Sequence, residues 1–249
     1  METSAGDPRF SVVVPAYHEE QRIAETVSRL RAALAPVAGD GGAEIVVVDD
    51  GSTDQTAARA REAGADQVVV LARNTGKGAA VRAGVKAATG RSVAFTDADL
   101  AYAPEQLLRL LAAVEAGSPV VVGSRLHPEA ATVVGASVLR RLTGRVFNTI
   151  TALLVLHGRR RDTQCGFKAF SRDAARLLFS RGRVDGFAFD VELFVLADHF
   201  QLDVLEVPVT LANTASSTVR VAPDTVAMLR DLVRIRRHAA RGVYDRPVG

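Results

Sequence analysis

Between Phe10 and Gly123 the chain alternates short apolar runs with stretches of helical periodicity. The runs FSVVVPAY, EIVVVDD, DQVVVLA, SVAFT and PVVVG are dominated by valine and show little polar alternation. Such runs predict strands buried on both faces. The stretches between them predict helices over 19–35, 54–63, 78–88 and 104–116. In the first, Ile23, Val27, Leu30 and Leu34 recur at helical spacing. The second follows GSTD, a turn that caps a helix start. Strands alternating with helices predict an α/β fold: a mostly parallel sheet with helices on both faces.

The second half is less regular. Residues 138–156 predict a helix with Leu139, Leu142, Val146, Ile150 and Leu153 on one side and Arg140, Arg141 and Arg145 near its start. DTQCGFKAF predicts a return to the sheet, FDVELFVLADHF a helix, and LDVLEVPV a strand. A last helix over 225–241 carries Arg230, Arg234, Arg237 and Arg241 as a basic stripe. No linker divides the chain convincingly; we set residues 1–210 apart as the main α/β unit from 211–249, a C-terminal loop and basic amphipathic helix suited to a membrane surface.

In a parallel α/β sheet, ligands bind beyond the carboxyl ends of the strands. Five clusters follow the five predicted strands: Pro15-Tyr17-Glu19, Asp49-Asp50-Gly51, Arg73-Asn74-Lys77, Asp97-Asp99 and Gly123-Ser124-Arg125. Asp97 and Asp99 place two carboxylates one residue apart after a buried strand. They suit a hard cation such as Mg²⁺ or Mn²⁺ shared with a diphosphate; equally, Asp99 could cap the helix entered at Pro104. Asp49 or Asp50 could accept from a base N–H or a ribose hydroxyl, or simply form the turn at Gly51. NTGKG puts a lysine and small residues at a helix start, where anions are favoured. It is not a P-loop, because Leu71 occupies the first glycine position and Gly78, not Ser or Thr, follows Lys77.

The 249 residues carry a net charge of +3, unevenly divided. Residues 1–124 hold 12 Lys/Arg and 16 Asp/Glu; residues 125–249 hold 19 and 12. The basic half predicts an anionic partner. With no Trp and 5% aromatic residues, nucleic acid is excluded in favour of a lipid phosphate or an anionic membrane surface. The single cysteine, Cys165, predicts a reducing compartment and a packed thiol. The N-terminus has no secretory pattern, and ITALLVL is too short to span a bilayer. The expected location is therefore cytoplasmic, peripheral on the inner membrane face. The five scattered histidines suggest neither a metal motif nor a nucleophile triad.

Taken together and in order, VVVPAYHEE, VVVDDGSTD, NTGKGAAVRAG, TDADL and VVGSR resemble glycosyltransferase family two with its GT-A fold. RDTQCGFKAF and FAFDVEL are similar to the dolichyl-phosphate and polyprenyl-phosphate β-glucosyltransferase branch. The resemblance implies inverting transfer of a sugar, glucose from UDP-glucose, onto a polyprenyl phosphate with Mg²⁺ or Mn²⁺. It implies that Pro15, Tyr17, Glu19, Asp49, Asp50, Lys77 and Asp97 bind the nucleotide and that Asp97 and Asp99 hold the metal. The catalytic set would be Asp97, Asp99, Arg125, Asp162 and Gln164, and the acceptor phosphate would meet Arg125, Arg140 and Lys168. Asp190 and Glu192 belong to the signature without a defined role, and Ser217 and Arg220 match only a loose closing loop. DADLAYAP lacks the glutamine frequent in the mannosyl branch, which favours glucose over GDP-mannose as rival donor. A non-catalytic nucleotide-sugar-binding module is the rival from another class.

Overall fold

A computed structural model describes residues 6–37, 41–132, 162–163, 165–211 and 221–246. The predicted alternation is present: β1 (Phe10–Ala16), α1 (Ile23–Leu34), β2 (Ala43–Asp49), α2 (Thr56–Glu62), β3 (Gln67–Val70), α3 (Lys77–Ala87), β4 (Ser92–Phe95), α4 (Leu107–Glu115) and β5 (Val120–Ser124). A short pair follows from β6 (Ala131–Thr132) and the later β9 (Thr210–Leu211). Beyond them come β7 (Lys168–Ser171), α5 (Arg172–Arg181), α6 (Phe189–His199), β8 (Val204–Pro208) and α7 (Val221–Ala240). The helix expected over 138–156 lies outside the described residues.

Seven strands form one sheet in the order β3-β2-β1-β4-β7-β5-β8. Every neighbouring pair is parallel except those made by β7, which runs antiparallel to both β4 and β5. Alternate strand residues serve two cores. Val13, Val46 and Val48 pack with α3, α5, α6 and α7 on one face. Val12, Val14, Ile45 and Val47 pack with α1 and α4 on the other. Continuous valine runs are what a sheet covered on both sides requires.

The registers align Ala16 with Asp49 and Val13 with Phe95, so the ends of β1, β2 and β4 share one edge. The reversal of β7 matters for function. Lys168 pairs with both Phe95 and Val122, so the start of β7, not its end, lies at the carboxyl ends of its parallel neighbours. The segment leading into β7 is thereby delivered to that edge.

The starts of α1 and α2 come later than periodicity indicates, for local reasons. Glu19 makes a turn whose carbonyl accepts from Arg22 and Ile23 N–H, so α1 begins at Ile23. Asp54 accepts from Thr56 N–H at 3.0 Å in the turn before α2, whose N-cap is Gln55, so α2 begins at Thr56. α5 was not foreseen; the Ser171 hydroxyl accepts from Ala174 N–H at its start. α7 packs on α6 with Leu232 and Ile235 fully buried, while Arg230, Arg234, Arg237 and Arg241 are exposed.

Candidate active site

The carboxyl edge is built loop by loop. After β1, Tyr17 is 42% exposed and stacks on His18 at 4.1 Å between ring centroids. His18 adopts a left-handed backbone, φ 54°. Its N–H donates to the Ser52 hydroxyl, and its Nε2 accepts from Thr53 N–H at 3.3 Å. These bonds tie the β1 loop to the β2 loop.

Asp49 and Asp50 are both buried and both form turns. Asp49 accepts from Ser52 N–H at 3.0 Å. The two oxygens of Asp50 accept from Thr75 N–H and Gly76 N–H, each at 2.8 Å. Burial pushes Asp50 above its ordinary value, and those two N–H bonds recover only part of the shift. Gly51 has φ +73°, and a Cβ there would lie 2.3 Å from the Arg73 carbonyl carbon. Only glycine lets the β2 and β3 loops approach so closely.

Asp97 and Asp99 follow β4. Lys77, the first residue of α3, places its Nζ 2.5 Å from Asp97 Oδ1. Burial alone would depress the lysine, but Asp97 first, then Asp190, hold it above its ordinary value. Asp99 accepts from Ala101 N–H at 3.1 Å, while burial and then repulsion from Asp97 push its carboxyl up. Glu19 joins them: burial raises it, Arg22 at 2.7 Å lowers it, and Asp99, Asp54 and Asp97 raise it again. Three carboxylates thus converge with two cations, Lys77 and Arg22. Leu100 closes the turn at φ 46°, unusual for a branched side chain and a mark of a backbone held by its surroundings. Thr26 on α1 donates to the Ala98 carbonyl at 2.6 Å and pins the same turn.

Gly166, delivered by the antiparallel β7, packs directly on this pair. A Cβ there would lie 2.5 Å from Asp97 Oδ2 and 3.0 Å from Lys77 Nζ. Gly166→Ala is therefore expected to displace Asp97 while leaving both cores intact. Any turnover that depends on this pair should fall by roughly 10–100-fold with little change in melting temperature, since small misplacements of reacting groups carry penalties of that size. Steady-state kinetics alongside thermal melting checks this.

After β5, Arg125 does not stand alone at the edge. It clamps Asp162 with Nε and Nη2, each at 2.7 Å, and adds its own N–H at 2.9 Å. Burial would raise Asp162, but this fork holds it below the usual carboxylate range. Asp162 is fully buried beneath Arg125, whose side chain remains 38% exposed. Asp162 therefore orients the arginine.

Lys168 is placed differently from the sequence expectation. It is 1% exposed, too deep to meet an acceptor phosphate, and donates to the Cys165 carbonyl at 2.5 Å and to the buried Asp190 carboxylate. Phe95 and Phe194 rings flank its ammonium. Burial pushes Asp190 up, and Lys168 and then Lys77 pull it back only partway. The Cys165 thiol is buried and pushed up to about 11 by that burial, which suits a packed residue and not a nucleophile. Arg140, Gln164, Ser217 and Arg220 lie outside the described residues. Sequence reasoning missed Arg22, Gly166 and Leu100; the i,i+3 spacing of Glu19 and Arg22 was the one available signal.

A family model described as "Glycosyl transferase family 2" matches residues 11–179, which contain the whole acidic cluster. The chain belongs to glycosyltransferase family 2. Within the family it is 36% identical over 241 residues to the dolichyl-phosphate beta-glucosyltransferase of Drosophila melanogaster, covering 91% of this chain and 74% of that protein. It is 33% identical to the Homo sapiens dolichyl-phosphate beta-glucosyltransferase, covering 95% and 77%. Among solved structures, glucosyl-3-phosphoglycerate synthase from Mycobacterium tuberculosis, in complex with Mn²⁺, UDP and glucosyl-3-phosphoglycerate, superposes with a TM-score of 0.70. That match is 25% identical and covers 93% of this chain and 80% of the other. This glycosyltransferase has the mostly parallel mixed sheet of that structure. None of its described helices is long and apolar enough to cross a membrane.

Proposed function

We propose that the chain is an inverting glucosyltransferase that moves glucose from UDP-glucose onto a polyprenyl phosphate of the dolichyl type. The observation that carries this reading is the convergence of Asp97, Asp99 and Glu19 on two cations at the carboxyl edge of β4. Relatives named as dolichyl-phosphate beta-glucosyltransferases supply the sugar and acceptor class. The structural neighbour binds UDP with Mn²⁺, which supports a uridine donor.

The residues fit a divalent cation. Asp97 and Asp99 carry the oxygen donors that a hard cation takes, and would leave the remaining places to diphosphate and water; among the described residues no group of three His, Cys, Asp or Glu could hold a metal by itself. Bound there, Mg²⁺ or Mn²⁺ would neutralise charge on the departing diphosphate. Lys77 adds a fixed positive charge beside it at the start of α3. Tyr17, exposed at the end of β1, offers a ring to the base, with Pro15 and the Asp49–Asp50 turn forming the floor of the nucleoside pocket.

The acceptor phosphate is anionic near neutral pH, so it needs orientation more than deprotonation. Arg125, braced by Asp162, provides a rigid cation for that task, and Arg140 is assigned the same role. In-line attack would invert the anomeric carbon. The basic outer face of α7 would rest on an anionic membrane. The apolar face of that helix is already buried against α6, so the attraction would be mainly electrostatic, at roughly 1 kcal/mol per arginine. Residues 1–210 form the catalytic unit in this reading, with 211–249 as its membrane-facing extension.

Titration calorimetry tests the donor site. With Mn²⁺ present, UDP should bind at least tenfold more tightly than GDP, and EDTA should remove most of that affinity and all transfer. Equal affinities for the two nucleotides, or binding indifferent to EDTA, would count against it.

A further inference from the structure

Glu192, left without a role by the sequence, is the hub of a buried network. It is 2% exposed. Its carboxylate accepts from Arg183 N–H and Val184 N–H, each at 2.9 Å. It also accepts from the Tyr244 hydroxyl at 2.9 Å. Burial pushes Glu192 up, and its three hydrogen-bonding partners oppose the shift.

Tyr244 belongs to a C-terminal turn, Val243–Asp245, and is itself fully buried. That turn is fastened at several points. Arg181 donates to the Tyr244 carbonyl at 3.1 Å and also to the Asp245 carbonyl. Arg183 donates to the Arg246 carbonyl at 2.6 Å, and His199 meets Asp245 at 2.9 Å.

From Glu192 the contacts continue toward the donor site. The loop that it grips ends at Asp185, whose carbonyl accepts from Gly78 N–H at 2.7 Å and Ala79 N–H at 3.2 Å. Those are first-turn groups of α3, which have no partner within their own helix. Arg82 on α3 reaches back to the Gly182 carbonyl at 3.2 Å and to the Asp185 carboxylate. The fit leaves no slack. A Cβ at Gly76 would lie 2.5 Å from the Asp185 carbonyl oxygen, and one at Gly78 would lie 2.5 Å from that of Val184. Between these glycines stands Lys77, whose ammonium meets Asp97.

We propose that the C-terminal turn is a positioning element for the donor site, acting from Tyr244 through Glu192 and the 182–186 loop to fix Lys77. It rests on the reading of Lys77 and Asp97 as donor-site residues. Tyr244 and Glu192 touch no reacting group; they act by setting where α3 begins. The C-terminal turn thereby shapes a pocket assembled from residues more than 140 positions earlier in the chain.

Hydrogen exchange and UDP titration on Tyr244→Phe and Glu192→Gln test this. Both variants keep the shape of the side chain. In each, the amides of Arg183, Val184, Gly78 and Ala79 should exchange at least tenfold faster, while those of α1 and α4 keep wild-type protection and report an intact fold. UDP affinity with Mn²⁺ should fall three- to tenfold, and the donor KM should rise with kcat little changed. Faster exchange confined to Arg183 and Val184, or UDP affinity unchanged in both variants, would overturn the proposal. If the wild-type protein bound no UDP, the donor-site reading would fail separately. Exchange at Gly78 and Ala79 would still decide whether the tail holds α3: unchanged rates there would overturn that coupling.

Discussion

Asp99→Asn is expected to lower kcat by roughly 10²–10³-fold, the penalty typical of removing one preorganised charge from a transition state. The amide keeps the shape of the side chain and an oxygen for Ala101 N–H. What it removes is one of two carboxylates that repel each other on a partly buried turn. In the free protein that repulsion is a burden, so thermal stability should be unchanged or slightly higher. Lost turnover with undiminished stability is the signature of a group kept for chemistry. Near-normal turnover would mean that Asp99 only shapes the turn, the alternative that the sequence left open.

Lys168→Met should have the largest effect on stability. The variant leaves Asp190, only 4% exposed, without its ammonium partner. Breaking a buried pair from one side costs about 3–5 kcal/mol. For a domain of this size that corresponds to a melting temperature lower by on the order of 10 °C. Adding Asp190→Leu should recover much of the loss, because the orphaned charge is then gone. A second consequence concerns the site. Asp190 also attracts Lys77, so an unpaired Asp190 should draw Lys77 away from Asp97 and weaken UDP binding. Had Lys168 held the acceptor phosphate, the same substitution would raise the acceptor KM and leave melting unchanged. Thermal melts with donor and acceptor kinetics separate the two.

Lys168 marks the limit of what a local sequence pattern conveys. A lysine at the start of a strand reads as exposed, and nothing nearby contradicts that. Its burial depends on Asp190, 22 residues later, and on a strand running against its neighbours. Strand direction is not written in a strand's own composition, so the antiparallel entry of β7, and with it the contact of Gly166 with Asp97, was illegible. α5 escaped notice because RDAARLLFSR buries a narrow face, Ala174, Ala175, Leu178 and Phe179, amid arginines. By contrast, β1 to β5 were legible because both-face burial demands uninterrupted valine runs. The five edge clusters followed from that, since parallel strands all end on the same side. Asp49 and Asp50 stand at that edge, but their turn-forming bonds depend on loops that no local pattern specifies.

The most direct measurement supplies the purified protein with labelled UDP-glucose or GDP-mannose, polyprenyl phosphate and Mn²⁺. Label that partitions into organic solvent is then counted. The account predicts organic-extractable label from UDP-glucose, none without metal, and little from GDP-mannose. Label from GDP-mannose alone, or nucleotide binding without transfer from either donor, would contradict it.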